Sequence, residues 1–164
     1  MKSLQKHSAH RHKGWKGQYD RMIRWSQRFQ RAVSKDFGHR SVEIDSHEYF
    51  DTLFSCLQNI FFLKDWLLND SEISSSELNH FINSNPEMGL CRDICNGTKH
   101  FEINHPSVDA EFSIIREYDP FHDVWNTPEY FIVILAGGEK YQPFDLINKC
   151  IDIWNKFLRE RGLL

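Results

Sequence analysis

The chain has 164 residues with a net charge of −3, and hydrophobic residues make up 40% of it, including 13 Phe and five Trp. This length suits one domain around one core, and the composition is typical of a globular rather than a disordered chain. No run of about 18 uncharged apolar residues occurs, and the first residues lack the apolar segment of a secretory signal. We therefore expect no membrane span and a cytoplasmic location.

The charge is distributed unevenly along the chain. Residues 1–40 hold eleven Lys or Arg against two Asp, a balance of +9, so the rest of the chain carries −12. Residues 1–14 are polar without an apolar period, which predicts a flexible basic arm. A basic segment of this kind contacts nucleic acid, a second copy or its own domain, although a solvated helix face is the commonest case.

Apolar residues recur at helical spacing in the first half of the chain. A first helix is predicted from Trp15 to Val33. A central helix is predicted from Ser46 to Leu68, and it is apolar around most of its circumference, which is typical of a helix enclosed by others. Ser74 followed by Glu77 forms a capping box that opens a short third helix.

The second half combines helices with strands. Asn85 followed by Pro86 predicts the start of a fourth helix. Two later segments, AEFSIIREY and EYFIVILA, are rich in β-branched and aromatic residues and predict strands, with a Gly-Gly turn after the second. A last helix is predicted from Pro143. The sequence therefore predicts a mainly α fold, a four-helix up-down bundle over 15–164, with a small antiparallel β-hairpin or sheet inserted at about 101–142.

The fourth helix contains the stretch GLCRDICNGTKHF, in which polar residues form a stripe. At about 100° per residue, Asp93, Asn96 and His100 share one face, and Arg92, Asn96 and Lys99 share an overlapping one. The apolar residues and two cysteines form the side that packs. An alternative treats the polar residues as caps and surface charges, because an Asn-Gly pair also ends helices well.

The central helix carries a charged pair, Lys64 and Asp65, inside the apolar run FFLKDWLL. A buried charge is costly unless it is paired, so we expect Asp65 to pair with Arg92, Lys99 or His100 if the two helices are neighbours. A His next to a carboxylate works as a general acid or base near neutral pH. The same pair would also serve as a structural clasp between helices.

The cysteines give no indication of a metal site. The four cysteines have neither the dense spacing of a disulfide scaffold nor the paired spacing of a zinc site. We expect them to be buried small apolar residues in a reducing compartment. They are Cys56, Cys91, Cys95 and Cys150. We predict neither a metal ion nor another cofactor.

The segment CRDICNGTKH, with LKDWL in the helix before it and CIDIWNKFL in the closing helix, resembles the HEPN-like proteins, which are small bacterial helical bundles. Active members are metal-independent ribonucleases that use an Arg, the polar residue after it and a His, usually assembled across a dimer. The resemblance implies these positions for Arg92, Asp93 and His100. Seven residues separate Arg92 from His100, whereas four to six do so in active members. Many members without the motif are binding or structural domains.

Two functions follow from this pattern. The favoured one is a non-catalytic protein-interaction or structural module. This module would form a homodimer, and the homodimer would bind a different protein. The alternative is a metal-independent ribonuclease or RNA-binding protein of HEPN type, in which Arg92 holds the phosphate and His100 moves the proton. The candidate catalytic residues are Arg92, Asp93, Asn96, His100 and Asp65, and the candidate RNA-binding or phosphate-binding residues are Lys99, Arg24 and Arg28.

Overall fold

The computed structural model describes residues 14–38, 46–99, 105–109, 111–118 and 130–164. Its elements, in chain order, are α1 (Gly14–Gly38), α2 (Ser46–Asp70), α3 (Ser75–Asn83), α4 (Pro86–Lys99), β1 (Ser113–Tyr118), β2 (Tyr130–Ala136), β3 (Glu139–Tyr141) and α5 (Pro143–Glu160). The predicted mainly α fold with a small antiparallel sheet before the last helix is confirmed. The predicted basic arm lies outside the described residues except for its last position.

The ends of α1 and α2 differ from the sequence prediction, and α2 ends at Asp70 rather than Leu68. α1 continues past Val33 to Gly38, because the intervening residues include no proline and Gly38 is the first strong helix terminator. α4 continues through Asn96 and Gly97 to Lys99. The alternative in which the Asn-Gly pair ends this helix is therefore wrong. The predicted start of α3 is confirmed, since the side chain of its N-cap residue accepts a hydrogen bond from the first turn.

α1 and α2 form an antiparallel pair. The backbone N–H of Trp15, at the start of α1, donates to Asp70 Oδ2 at the end of α2 at 2.9 Å. At the other end of the pair, the rings of Phe29 and Tyr49 meet edge to face with centroids 5.3 Å apart. A carboxylate at the first turn of a helix is favoured by the helix dipole. Gly14 has a φ of +56°, and a Cβ there would lie 1.8 Å from Asp70 Oδ2.

The three strands form one antiparallel sheet in the order β1-β2-β3. β1 pairs with β2 from Ser113 opposite Leu135 to Tyr118 opposite Tyr130. The turn between β2 and β3 is the predicted Gly-Gly pair, and both glycines have positive φ. Residues with a Cβ rarely adopt that conformation, which explains the two glycines.

One core cluster receives side chains from all five helices and from β2. The largest fully buried side chains include Trp154, Phe29, Met22, Leu53, Leu57 and Ile60. The indole N–H of Trp154 donates to the backbone oxygen of Ile60 at 3.0 Å, which ties α5 to α2 within the core. Among the described helices, none has the length and apolar character needed to cross a membrane.

Candidate functional site around the fourth helix

Asp93 is fully buried, and its carboxylate binds the backbone of the segment that follows α4. The N–H of Ser107 donates to Oδ1 at 2.7 Å and to Oδ2 at 2.9 Å. The N–H groups of Val108 and Asp109 donate to Oδ2 at 2.7 and 3.3 Å. A buried carboxylate is tolerable only where such hydrogen bonds replace water. Asp93 therefore fixes the path of three consecutive backbone residues against α4.

Arg92 holds the same segment from the side. It is half-buried, and its Nε donates to Ser107 Oγ at 2.5 Å. Its Nη1 donates to Asn83 Oδ1, at the last residue of α3, at 3.0 Å. The guanidinium group thus links the end of α3 to the segment that Asp93 binds.

Close packing accompanies these hydrogen bonds. A Cβ placed on Gly89 would lie 3.1 Å from Ser107 Cβ and 3.4 Å from Val108 Cγ2. A Cβ on Gly137 would lie 3.2 Å from Val108 Cγ1. The distances of 3.1 and 3.2 Å are tight for a carbon–carbon contact, so a side chain at Gly89 would crowd Ser107 and one at Gly137 would crowd Val108.

Asp109 extends the network to the sheet. Its Oδ2 accepts from the N–H of Gly137 in the β2–β3 turn at 2.9 Å, and its Oδ1 accepts from the N–H of Glu111 at 2.8 Å. The hydrogen bond from Gly137, followed by that from Glu111, lowers the pKa of the Asp109 carboxyl below its ordinary value of 3.8.

These contacts form one structural unit. We name it the α4 clasp, and its members are Arg92, Asp93, Ser107, Val108 and Asp109. Two aspartates in series connect the fourth helix, the segment after it and the turn of the sheet. The clasp therefore sets how the sheet is positioned on the helical bundle.

The remaining predicted site residues are not part of the clasp. Asp65 is exposed on α2, so the expectation of a buried charge that requires a partner on α4 is wrong. Lys99 is exposed, Asn96 is half-buried, and His100 lies outside the described residues. Of the proposed Arg–polar–His set, Arg92 and Asp93 are thus described, and both serve the clasp.

The four cysteines converge at the packing of α2, α4 and α5. Burial raises the pKa of the Cys56 thiol to about 12, with contributions from Cys150 and Cys95. Hydrogen bonds with Cys150 and Cys95 raise the pKa of Cys91 well above its ordinary value. All four are buried free thiols, as predicted, although the sequence did not indicate that they meet. Within the described part of the chain, no group of three or more His, Cys, Asp or Glu is arranged to hold a metal ion.

A cationic surface lies on α1, away from the clasp. Arg21, Arg24, Arg28 and Arg31 follow one another at steps of three and four, which places them within about 80° of one helix side over about 15 Å. Arg24, Arg28 and Arg31 are exposed. The guanidinium carbon of Arg28 lies 4.7 Å from the ring centroid of Trp25. We name the four arginines the arginine stripe.

Sequence reasoning missed the partner segment of the clasp. Pro106, Ser107 and Asp109 are residue types that favour turns, and this signal was present in the sequence. Comparisons with protein-family models, with curated proteins and with solved structures return no match to this chain. The chemistry of the site therefore has to follow from its own geometry.

Proposed function

We propose that this chain is a non-catalytic protein-interaction or structural module of HEPN-like type that functions as a homodimer. The observation that carries the proposal is the burial of Asp93, whose carboxylate is fully enclosed and bound to three backbone N–H groups. A catalytic carboxylate orients a His or contacts the substrate, and either role needs an oxygen lone pair directed at that group, whereas the Asp93 oxygens accept from the backbone of residues 107–109. Asp93 would have to release the backbone before it could act in this way.

Arg92 supports the same conclusion. Two nitrogens of its guanidinium group already donate to Ser107 and Asn83. These bonds use two of the five guanidinium N–H donors and fix the plane of the group against Ser107 and Asn83, which a scissile phosphate would have to match. Phosphate binding at this residue would therefore be restricted by the geometry of the clasp.

An RNA cleavage assay tests the proposal. Purified wild-type protein is incubated with end-labelled single-stranded and hairpin RNAs, with a chelator present to suppress metal-dependent contaminants. The matched control is a His100→Ala variant prepared in the same way. We expect equal background cleavage from both proteins, because Arg92 and Asp93 serve the fold. Cleavage by the wild type that is lost in His100→Ala would overturn the proposal.

The predicted homodimer is tested separately by light scattering after size exclusion. The chain has a mass of 19.6 kDa, so a dimer is expected at about twice that value. A mass that stays at 19.6 kDa at every concentration would contradict the homodimer part of the proposal while leaving the cleavage result unaffected.

A second candidate function is RNA binding without cleavage, and the arginine stripe favours it. Exposed arginines along one helix side provide contacts to phosphates, and Arg28 lies over the ring of Trp25. This candidate uses α1 and does not require any residue of the clasp. It is therefore compatible with an inactive Arg92 and Asp93.

Fluorescence anisotropy with a labelled single-stranded RNA tests this second candidate. We expect Arg24→Glu with Arg28→Glu to weaken binding and to reduce the slope of log K against log salt by about 1.4, since each lost phosphate contact contributes about 0.7. The control pair is Lys149→Glu with Lys156→Glu, which changes the same charge on exposed positions of α5. Equal losses from both pairs would indicate unspecific attraction and reject the stripe as a binding site.

A further inference from the structure

α2 exposes a second surface in its C-terminal half. Phe61, Lys64, Asp65 and Leu68 occupy positions i, i+3, i+4 and i+7, so their side chains share about 100° of the helix circumference. Leu68 is 40% exposed, Asp65 is exposed, and Phe61 and Lys64 are half-buried. We name these four residues the α2 face.

The contacts of α2 with the other helices use different positions. Asn59 binds Gln18 of α1, and the backbone oxygen of Ile60 accepts from Trp154 of α5. The backbone oxygen of Leu57 accepts a hydrogen bond from Cys91 Sγ of α4. Within the described residues, Asp65 and Leu68 are therefore exposed, whereas Phe61 packs partly against the core and presents its remaining surface on the same side of α2.

The residues of the α2 face are arranged so that the face complements itself. An antiparallel helix pair in one register places Phe61 opposite Leu68 of a second copy and Lys64 opposite Asp65 of that copy. A two-fold axis between the helices repeats both contacts, which is the arrangement of an isologous interface. A parallel in-register pair would instead place Lys64 opposite Lys64 and Asp65 opposite Asp65. The charges therefore select the antiparallel arrangement.

We propose that the α2 face is the surface through which two copies of this chain associate as an antiparallel helix pair. The inference deepens the proposed homodimer and rests on it, because it names the surface that the homodimer uses. The ammonium of Lys64 lies 5.8 Å from the ring centroid of Phe61, close enough for the ring to hold it within the face. Two charged pairs lie beside the axis, and an apolar pair lies at each end.

The expected association is weak and depends on concentration. A stable complex buries about 800 Å² per partner, and two turns of a single helix bury less than that. Sedimentation velocity over a concentration series therefore suits the measurement better than a single chromatogram.

Charge variants test the register directly. In Lys64→Asp both charges of the face are negative, and in Asp65→Lys both are positive, so each variant alone places like charges opposite each other. We expect each to raise the dimer Kd about tenfold or more. An equimolar mixture of the two variants restores opposite charges at both pairs, and we expect it to form a heterodimer with wild-type affinity. Unfolding curves that match the wild type establish that each variant is folded.

Matched variants on one helix test the apolar contact. Leu68→Glu and Phe62→Glu both replace an exposed apolar residue of α2, with exposures of 40% and 43%. Phe62 lies about 120° around the helix from Leu68 and outside the α2 face. We expect Leu68→Glu to abolish association and Phe62→Glu to leave it unchanged.

The possible outcomes separate this inference from the proposed function. A dimer that is insensitive to the charge variants and to Leu68→Glu overturns the α2 face and leaves the interaction module standing. A chain that is monomeric throughout the series overturns both the face and the homodimer. Cleavage of RNA that depends on His100 overturns the non-catalytic proposal, while heterodimer formation in the mixture would still support the face.

Discussion

The clasp and the arginine stripe both place charged side chains on a helix, and they differ in what surrounds those side chains. Arg92 and Asp93 of α4 bind the segment 107–109, and Asp93 is fully buried there. Arg24 and Arg28 lie on a helix side that is exposed. Charged residues on the helices of this molecule therefore have two different roles. Those bound to a backbone segment stabilise the fold, and those exposed to solvent are available to a partner.

Among the variants that test this comparison, removal of the Asp93 carboxylate has the largest expected effect on stability. In Asp93→Ala, three partly buried hydrogen bonds from backbone N–H groups to a buried carboxylate are lost, so we expect the free energy of unfolding to fall by about 3 kcal/mol. Urea denaturation at neutral pH measures it. The control is Asp152→Ala on the exposed surface of α5, outside the clasp and the α2 face, where we expect a change within about 0.5 kcal/mol. Similar losses in both variants would contradict a structural role specific to Asp93.

The packing of α4 against the clasp gives a smaller effect. A Cβ in Gly89→Ala would meet Ser107 Cβ at 3.1 Å, so we expect a loss of about 1–2 kcal/mol from overpacking. The same substitution made in a Ser107→Gly background, where that carbon is absent, should cost less. A double-mutant cycle by urea denaturation measures the difference. Equal costs in the two backgrounds would show that the crowding lies elsewhere.

The folded structure also predicts a loss of stability at alkaline pH. Burial raises the pKa of Cys56 to about 12 from its ordinary value of 9.0, so the unfolded thiol ionises first. The contribution of Cys56 is therefore fully present below pH 9 and is lost as the pH rises towards 12. By pH 10 the free energy of unfolding of the wild type is expected to fall by about 1 kcal/mol more than that of Cys56→Ala. Taking the difference between the two proteins removes the contribution of the other titrating groups. Parallel curves for the two proteins would contradict the burial of this thiol.

The smallest predicted effect concerns Asp109 at acid pH. Its pKa is lowered in the folded protein, so its contribution to stability is present above its ordinary value of 3.8 and is lost as the pH falls through the folded value. The difference in unfolding free energy between wild type and Asp109→Asn should therefore shrink below about pH 4. Asp152→Asn, which removes a carboxylate from an exposed position of α5, is measured alongside it as the control. A pH-independent difference for Asp109→Asn would reject its bond to the turn.

The fold was largely predictable because helices and strands differ in the spacing of their apolar residues. The central position of α2 followed from its apolar circumference, and its residues Leu53, Leu57 and Ile60 are fully buried. Helix ends were less predictable. α1 runs to Gly38 because no residue before that glycine interrupts it.

The candidate site was predictable only in part. The polar stripe identified Arg92 and Asp93, but its expected acidic partner, Asp65, faces solvent. The actual partners of Asp93 are backbone N–H groups of residues 107–109, and every residue except proline carries such a group. Backbone donors cannot be recognised from residue type, so the spacing of polar residues on α4 did not predict the clasp.

Amide hydrogen exchange at Ser107, Val108 and Asp109 tests the central claim most directly. These N–H groups donate to a buried carboxylate, so we expect them to exchange slowly in the wild type and at least tenfold faster in Asp93→Asn, in which a neutral amide replaces the charged acceptor. Amides in the centre of α5, such as that of Ile151, serve as the internal reference. Fast exchange of the three amides in the wild type, or unchanged rates in the variant, would contradict the role of Asp93 in holding residues 107–109 against α4.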